Sequence, residues 1–225
     1  YSAARARLIL ADSQATAHDL TRFYGTSATK IRVLYPGVKP LPITEMSVVR
    51  QRYHLPDHYW LFIGTLQPRK NIARLVEAYR TWQESHPGDS TGVVLADNKG
   101  WLYDPAWAGG VQGVHITGYV DEADKGALYT GARALVFPSL YEGFGFPVIE
   151  AMHAGTPVIA SNTSSLPELV GEAGLLVDPV AVESIAGAMS RLSDDPTLGE
   201  HLRSAGRAQA LRFTWERAAD QALTA

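Results

Sequence analysis

The chain has 225 residues, 46% hydrophobic and 19% charged, with a formal net charge of -3, enough for one substantial core or one domain and part of another. It has no basic surplus to make nucleic acid its main partner and no Lys/Arg run to anchor it on a membrane. Cysteine is absent, which excludes disulfides, thiolate zinc sites and cysteine nucleophiles and suits a cytoplasmic protein.

The first strand-like run is Leu8–Ala11, close behind a start at Tyr1 that reads as a fragment boundary. Ser13–Tyr24 follows as a helix with Ser13 as its cap, then a strand at Ile31–Leu34. Tyr35–Pro42, with its prolines and glycine, is the best domain boundary. The residues before it are too few for a domain of their own, so 1–35 is expected to be the tail of a neighbouring domain. Trp60–Ile63 is the next strand. Asn71–His86 is a helix with Ile72, Leu75, Val76, Tyr79 and Trp82 on one stripe and Asn71 as cap. Gly92–Ala96 is a strand, Gly109–Gly113 a surface loop, and Val114–Thr117, Ala134–Phe137, Pro157–Ala160 and Gly174–Val177 are further strands. Val182–Leu192, Pro196–Leu211 and Trp215–Leu223 close the chain as helices. Several of the strands are continuous apolar runs, the pattern of strands covered on both faces. Their alternation with helices predicts an α/β fold, a Rossmann-like doubly wound parallel sheet over residues 36–210. No apolar run approaches the ~20 residues that a membrane helix needs, and no signal peptide is visible.

The densest chemistry lies in Pro138–Glu150, directly after the strand Ala134–Phe137 and so at the sheet's carboxyl edge, where ligands of open α/β sheets bind. Gly143 and Gly145 let backbone approach a ligand. Pro147 suits the first turn of a helix and Gly155 its end. The unpaired amides at that helix start favour an anion or sugar hydroxyls. Glu142 in the loop and Glu150 one turn into the helix can each accept hydrogen bonds from a separate polyol region of one ligand. A first-turn glutamate is also favoured by the helix dipole alone. In Phe62–Asn71, again strand, glycine turn and helix, Arg69 and Lys70 stand just before the helix start. Their cations can converge on one anion, as a departing diphosphate requires, although an isolated Arg-Lys pair is more often a solvated basic pair in a loop. No Walker A string, G-x-G-x-x-G or D-x-D triplet occurs, and the seven histidines show no metal spacing.

The string Glu142-Gly143-Phe144-Gly145-Phe146-Pro147-Val148-Ile149-Glu150 resembles the E-x7-E signature of retaining GT-B glycosyltransferases, family four of the sequence classification. Gly64–Asn71 resembles that family's phosphate-clamping loop. Many relatives carry an arginine where Thr65 stands, so Arg69 is expected to supply that charge here. Ile116–Lys125 resembles the base-binding turn, with backbone near Tyr119 and Val120 meeting the base and Lys125 close by; Asp121 or Glu122 is equally explained as a helix-start acid. Ala160–Glu168 and Gly174–Pro179 match the pattern that follows the E-x7-E helix, as fold and pocket wall. Ala11-Asp12-Ser13 matches the end of the amino-terminal domain, and residues 211–225 the helix that crosses back to it.

The resemblance implies a donor-binding half of a hexosyltransferase, with Arg69, Lys70 and Glu142 as catalytic residues. Gly64 and Thr65, the amides of Gly143, Phe144, Gly145 and Phe146, and Glu150 at the ribose complete the donor site. It implies a GDP- or UDP-sugar donor, with GDP-mannose preferred because Gly64–Asn71 looks most like the mannosyltransferase segment. It implies no cofactor, no metal, and an acceptor that is a glycan or lipid-linked sugar, with any peripheral membrane contact made through the other domain. This half alone is expected to bind donor without transferring sugar. A non-catalytic nucleotide-sugar-binding module and a sugar-nucleotide epimerase remain as alternatives.

Overall fold

The computed structural model describes residues 2–42, 44–98, 100, 102–107 and 110–224. In chain order its elements are α1 (Ser2–Arg5), β1 (Ile9–Ala11), α2 (Gln14–Tyr24), β2 (Ile31–Val33), α3 (Met46–Tyr53), β3 (Tyr59–Ile63), α4 (Ile72–Ser85) and β4 (Gly92–Ala96). There follow β5 (Val114–Gly118), α5 (Glu122–Gly131), β6 (Ala134–Phe137), α6 (Phe146–Ala154), β7 (Val158–Ser161), α7 (Leu166–Val170), β8 (Leu175–Val177), α8 (Val182–Asp194), α9 (Pro196–Ala210) and α10 (Trp215–Leu223). Of the loop expected at 109–113, Gly109 lies outside the described residues.

β1 and β2 form a two-stranded parallel sheet, and the other strands form a six-stranded parallel sheet in the order β5-β4-β3-β6-β7-β8. The strands that read as continuous apolar runs, β3, β4, β6 and β7, are buried at every residue. Helices make this possible by packing in two groups, α4 with α8, and α3, α5, α6 and α9 in succession. Trp82 on the predicted stripe of α4 meets Trp60 of β3 edge-on, with ring centroids 5.5 Å apart. Burying these large rings supplies much of the core, since each removes 150–250 Å² of mostly apolar surface from water.

The chain runs outward from β3 through β4 to β5, then returns to place β6 on the other side of β3, with Trp60 opposite Ala134. The turns that leave the carboxyl ends of β3 and β6 therefore diverge to opposite sides and leave a crevice between them. The two segments that resembled donor-binding loops are these two turns.

Two expectations need correction. Asn71 does not cap α4 with its side chain. It sits in the left-handed region (φ 62, ψ 35), which asparagine tolerates better than most residues. Its side-chain amide donates to the carbonyls of Pro138 (3.0 Å) and Pro179 (2.7 Å), tying the β3 turn to the β6 turn. The helix α3 was not anticipated, because Val49 is its only buried residue and one apolar position leaves no stripe to read.

The stretch 34–42 is without regular structure and is held by the end of the chain. Val38 N–H donates to the Phe213 carbonyl at 2.9 Å, and Tyr35 meets the Phe213 ring edge-on. A Cβ on Gly37 would fall 2.2 Å from the Trp215 amide nitrogen, so the segment can run this close to α10 only as glycine. Gln221 and Thr224 then lie with Leu10, Arg32 and Val33 around one groove, which sets the end of α10 beside the two-stranded sheet.

Candidate donor site

The turn after β3 begins at Gly64, whose φ of +133 and amide bond to the Ala96 carbonyl (2.9 Å) suit glycine alone. A short turn of 3-10 helix, Pro68–Lys70, then directs the two cations. Lys70 points inward. Its Nζ lies 2.6 Å from Glu142 Oε1 and 4.7 Å from the centroid of the Phe137 ring. Arg69 stays half-exposed, with Nη1 2.8 Å from Glu142 Oε2 and donating to the Tyr141 carbonyl. Burial pulls the Lys70 ammonium below its usual value, against the Glu142 carboxylate that holds it up. The cations expected to converge on one anion do converge, and the anion between them is the carboxylate of Glu142. Thr65 is exposed, and its hydroxyl donates to Asp97 Oδ2 at 3.4 Å.

The turn after β6 is shaped by the next loop along. Ser164 Oγ accepts from the Glu142 amide at 3.0 Å, while Ser165 Oγ donates to the carbonyls of Glu142 (3.1 Å) and Phe144. The segment 160–168 is thus more than pocket wall, because its serines fold the glycine loop. Gly145 has φ +125, and a Cβ there would lie 2.8 Å from Leu166 Cδ2. Phe144 is buried, edge-on to Phe146 and Phe213, so only its backbone is available to a ligand. Phe146 is half-exposed and faces the crevice.

That crevice has a volume of about 210 Å³ and is lined by Gly64, Asp97, Tyr119, Val120, Glu122, Lys125, Phe146 and Glu150, among others. Tyr119 exposes its ring, whereas the Val120 side chain is buried. Glu150 Oε2 accepts from the Tyr129 hydroxyl at 2.8 Å, and Lys125 Nζ lies 2.6 Å from Glu122 Oε2. Burial pulls the Lys125 ammonium down, but Glu122, Glu150 and Asp97 outweigh it, so its proton is held more tightly than usual. The structure therefore divides the site residues into two clusters. Glu142 sits with Arg69 and Lys70, and Glu150 sits with Tyr119, Val120 and Lys125. Asp97 was missed by the sequence reading. Its signal was positional, since it follows β4 at the carboxyl edge as Gly64 follows β3, and it holds φ 121, rare for a residue with a side chain.

Burial raises the Glu150 carboxyl above its ordinary value of 4.5, against the opposing pull of the Tyr129 hydroxyl and Lys125. A raised pKa means that the folded state binds this proton more tightly than the unfolded chain. The contribution is fully present below about pH 4.5 and is lost as pH rises through the folded-state value. Glu150→Gln keeps an acceptor for Tyr129 and removes this loss. Its thermal midpoint relative to the parent should therefore be higher at pH 7 than at about pH 4. The same offset at both values would show that the carboxyl is not held out of water.

A parallel sheet with a crevice at its switch point, beside a cation pair on one turn and a glutamate on the other, is the arrangement of α/β proteins that bind ligands at the carboxyl edge of the sheet. The chain matches the family described as Glycosyl transferases group 1 over residues 50–209, and it belongs to that family. It is similar to the O-antigen chain mannosyltransferase B of Escherichia coli, 36% identical over 234 residues, covering 98% of this chain and 60% of that protein. It is also similar to a D-inositol 3-phosphate glycosyltransferase of Streptomyces griseus, 30% identical over 242 residues, with 94% and 51% covered. Among solved structures it matches sucrose-phosphate synthase from Thermosynechococcus elongatus with a TM-score of 0.80 and 26% identity, over 99% of this chain and 59% of that one. The fold is that of the GT-B glycosyltransferases, and the chain spans about 60% of the length of the first of these relatives. Among the described residues no helix is long and apolar enough to cross a membrane.

Proposed function

We propose that this chain is the donor-binding half of a retaining glycosyltransferase that moves a sugar from a nucleoside diphosphate to an acceptor glycan or lipid-linked sugar. The observation that carries the reading is the cation pair Arg69–Lys70, which stands beside the switch-point crevice and converges on the carboxylate of Glu142. Residues 1–35 are the tail of the acceptor domain, 36–210 the donor domain, and 211–225 the helix that returns to the acceptor side. The likeness to a mannosyltransferase over nearly the whole chain favours mannose, with GDP as the carrier.

In this reading the base lies on Tyr119 and the backbone of Val120, the ribose on Glu150, and the diphosphate against Arg69 and Lys70. Negative charge that develops on the leaving diphosphate meets two fixed cations in a partly dry site, where they stabilise it more than water would. The amides of Gly143–Phe146 and the carboxylate of Glu142 hold the sugar. Because Glu142 occupies both cations, the diphosphate must share or displace it, which turns the carboxylate towards the sugar as the donor settles. No residue of the sequence stands out as a covalent nucleophile, which favours attack by the acceptor on the same face from which the diphosphate leaves. The lack of a D-x-D triplet favours a diphosphate held by cations and amides rather than through a metal ion.

Calorimetric titration of the chain with GDP and with UDP, each with and without chelator, tests the reading. Binding of one nucleotide, unchanged by chelator, is the expected result. Absence of binding to both would overturn the donor site, and a large loss in chelator would overturn metal-independent binding.

A further inference from the structure

We propose that Asp12 is a ligand of the transferred sugar, so that the sugar pocket is completed by a carboxylate from the amino-terminal strand. The proposal rests on the donor-site reading of Glu142–Phe146. Asp12 directly follows β1 and precedes Ser13, the N-cap of α2. Its Oδ1 is buried without a hydrogen-bond partner. Among the described residues no lysine, arginine or histidine forms an ion pair with it.

The donors that ordinarily satisfy an acid in this position, the first amides of the following helix, are already engaged. The Gln14 and Ala15 amides donate to Glu168, at 2.9 and 3.1 Å, and the Thr16 amide donates to Ser13 Oγ at 3.0 Å. Neighbouring side chains are engaged too. Thr16 Oγ1 donates to the Gly143 carbonyl at 3.4 Å, and the Tyr141 hydroxyl donates to Asp19 at 2.7 Å. A carboxylate oxygen withdrawn from water without donors is costly.

Gly143 is the second, independent observation. Its φ is outside the left-handed region, so its backbone does not demand glycine. The nearest atoms to a Cβ there would be those of the Asp12 carboxylate, with Oδ2 at 3.0 Å, Cγ at 3.8 Å and Oδ1 at 3.9 Å. The missing side chain keeps open the face of Asp12 that borders the glycine loop. Gly143 adjoins Glu142, whereas the nucleoside is accounted for by the separate crevice around Glu150 and Tyr119. What reaches Asp12 from this side is a donor of neutral hydrogen bonds, a sugar hydroxyl, for which a carboxylate is the strongest acceptor a protein offers.

The test uses the 225-residue chain, Asp12→Asn and Asp12→Ala, each titrated with a nucleoside diphosphate and with the matching diphosphate sugar, and each unfolded thermally without ligand. Both variants should lose about 10-fold or more in affinity for the sugar nucleotide while keeping the parent's affinity for the diphosphate. Their thermal midpoints should match or exceed the parent's, because a partly buried acid without an ion-pair partner has been replaced. Equal affinity of parent and variants for the sugar nucleotide would overturn the proposal, as would equal losses for both ligands. A midpoint lowered in Asp12→Asn would do the same, since it would make Asp12 a structural residue. A parent that binds neither ligand would overturn the donor site itself and Asp12 with it.

Discussion

Replacing Lys70 by alanine should lower the free energy of unfolding by about 3 kcal/mol, the low end of what is seen when one member of a buried ion pair is removed. Glu142 is almost fully enclosed and would keep only the half-exposed Arg69 guanidinium as a partner. The lost ammonium also leaves the Phe137 ring without the cation beside it. Removing both charges, as Lys70→Met with Glu142→Leu, should recover much of that loss, because an apolar pair of similar volume carries no desolvation penalty. Urea unfolding of the parent, Lys70→Met, Glu142→Leu and the double variant forms the necessary cycle, with Lys70→Ala measured beside it. A loss below about 1 kcal/mol in Lys70→Ala, the range of solvent-exposed pairs, would mean that the Lys70–Glu142 contact is not buried in solution.

The second large effect is a division of labour between Lys70 and Glu150 that a single affinity would not reveal. Lys70→Ala removes a charge-assisted contact to the diphosphate, worth roughly 1.5–3 kcal/mol, or about a 10- to 150-fold loss of affinity. Glu150→Ala should cost a comparable amount for nucleoside diphosphate, but through the ribose hydroxyls. Inorganic pyrophosphate separates the two, since it carries no ribose. Against it only Lys70→Ala should lose ground, while Glu150→Ala should match the parent or gain slightly from the loss of a negative charge. The same order should appear in ligand-induced thermal shifts. If Glu150→Ala, still folded, lost pyrophosphate as badly as Lys70→Ala, Glu150 would be a structural partner of Tyr129 and not a ribose ligand.

Several of these roles could be anticipated because their signals are local. The span from Glu142 to Glu150 is one turn and one helix start, so its spacing survives in the sequence whatever surrounds it. Gly145 and Gly155 mark backbone that other residues adopt only under strain, and both hold positive φ at the two ends of α6. Asn71 misled for the same reason. A polar residue before an apolar stripe is the ordinary sign of a cap, yet here its amide is drawn off by two carbonyls from distant loops. Asp97 escaped notice because one aspartate after one strand carries no pattern.

The residues alone determined the parallel α/β sheet, since strands covered on both faces must be apolar throughout, and β3, β4, β6 and β7 are. They also pointed to the two turns proposed to carry the site, since glycine, proline and charge stand together directly after the apolar runs of β3 and β6. Tertiary structure decided who meets whom. Lys70 and Glu142 are 72 positions apart and become partners only because β3 and β6 lie side by side at the switch point. Asp12 and Gly143 meet because the amino-terminal strand ends, and α2 begins, against the glycine loop. Such pairings arise from chain crossings between elements distant in sequence, and periodicity and spacing record only what happens within one element.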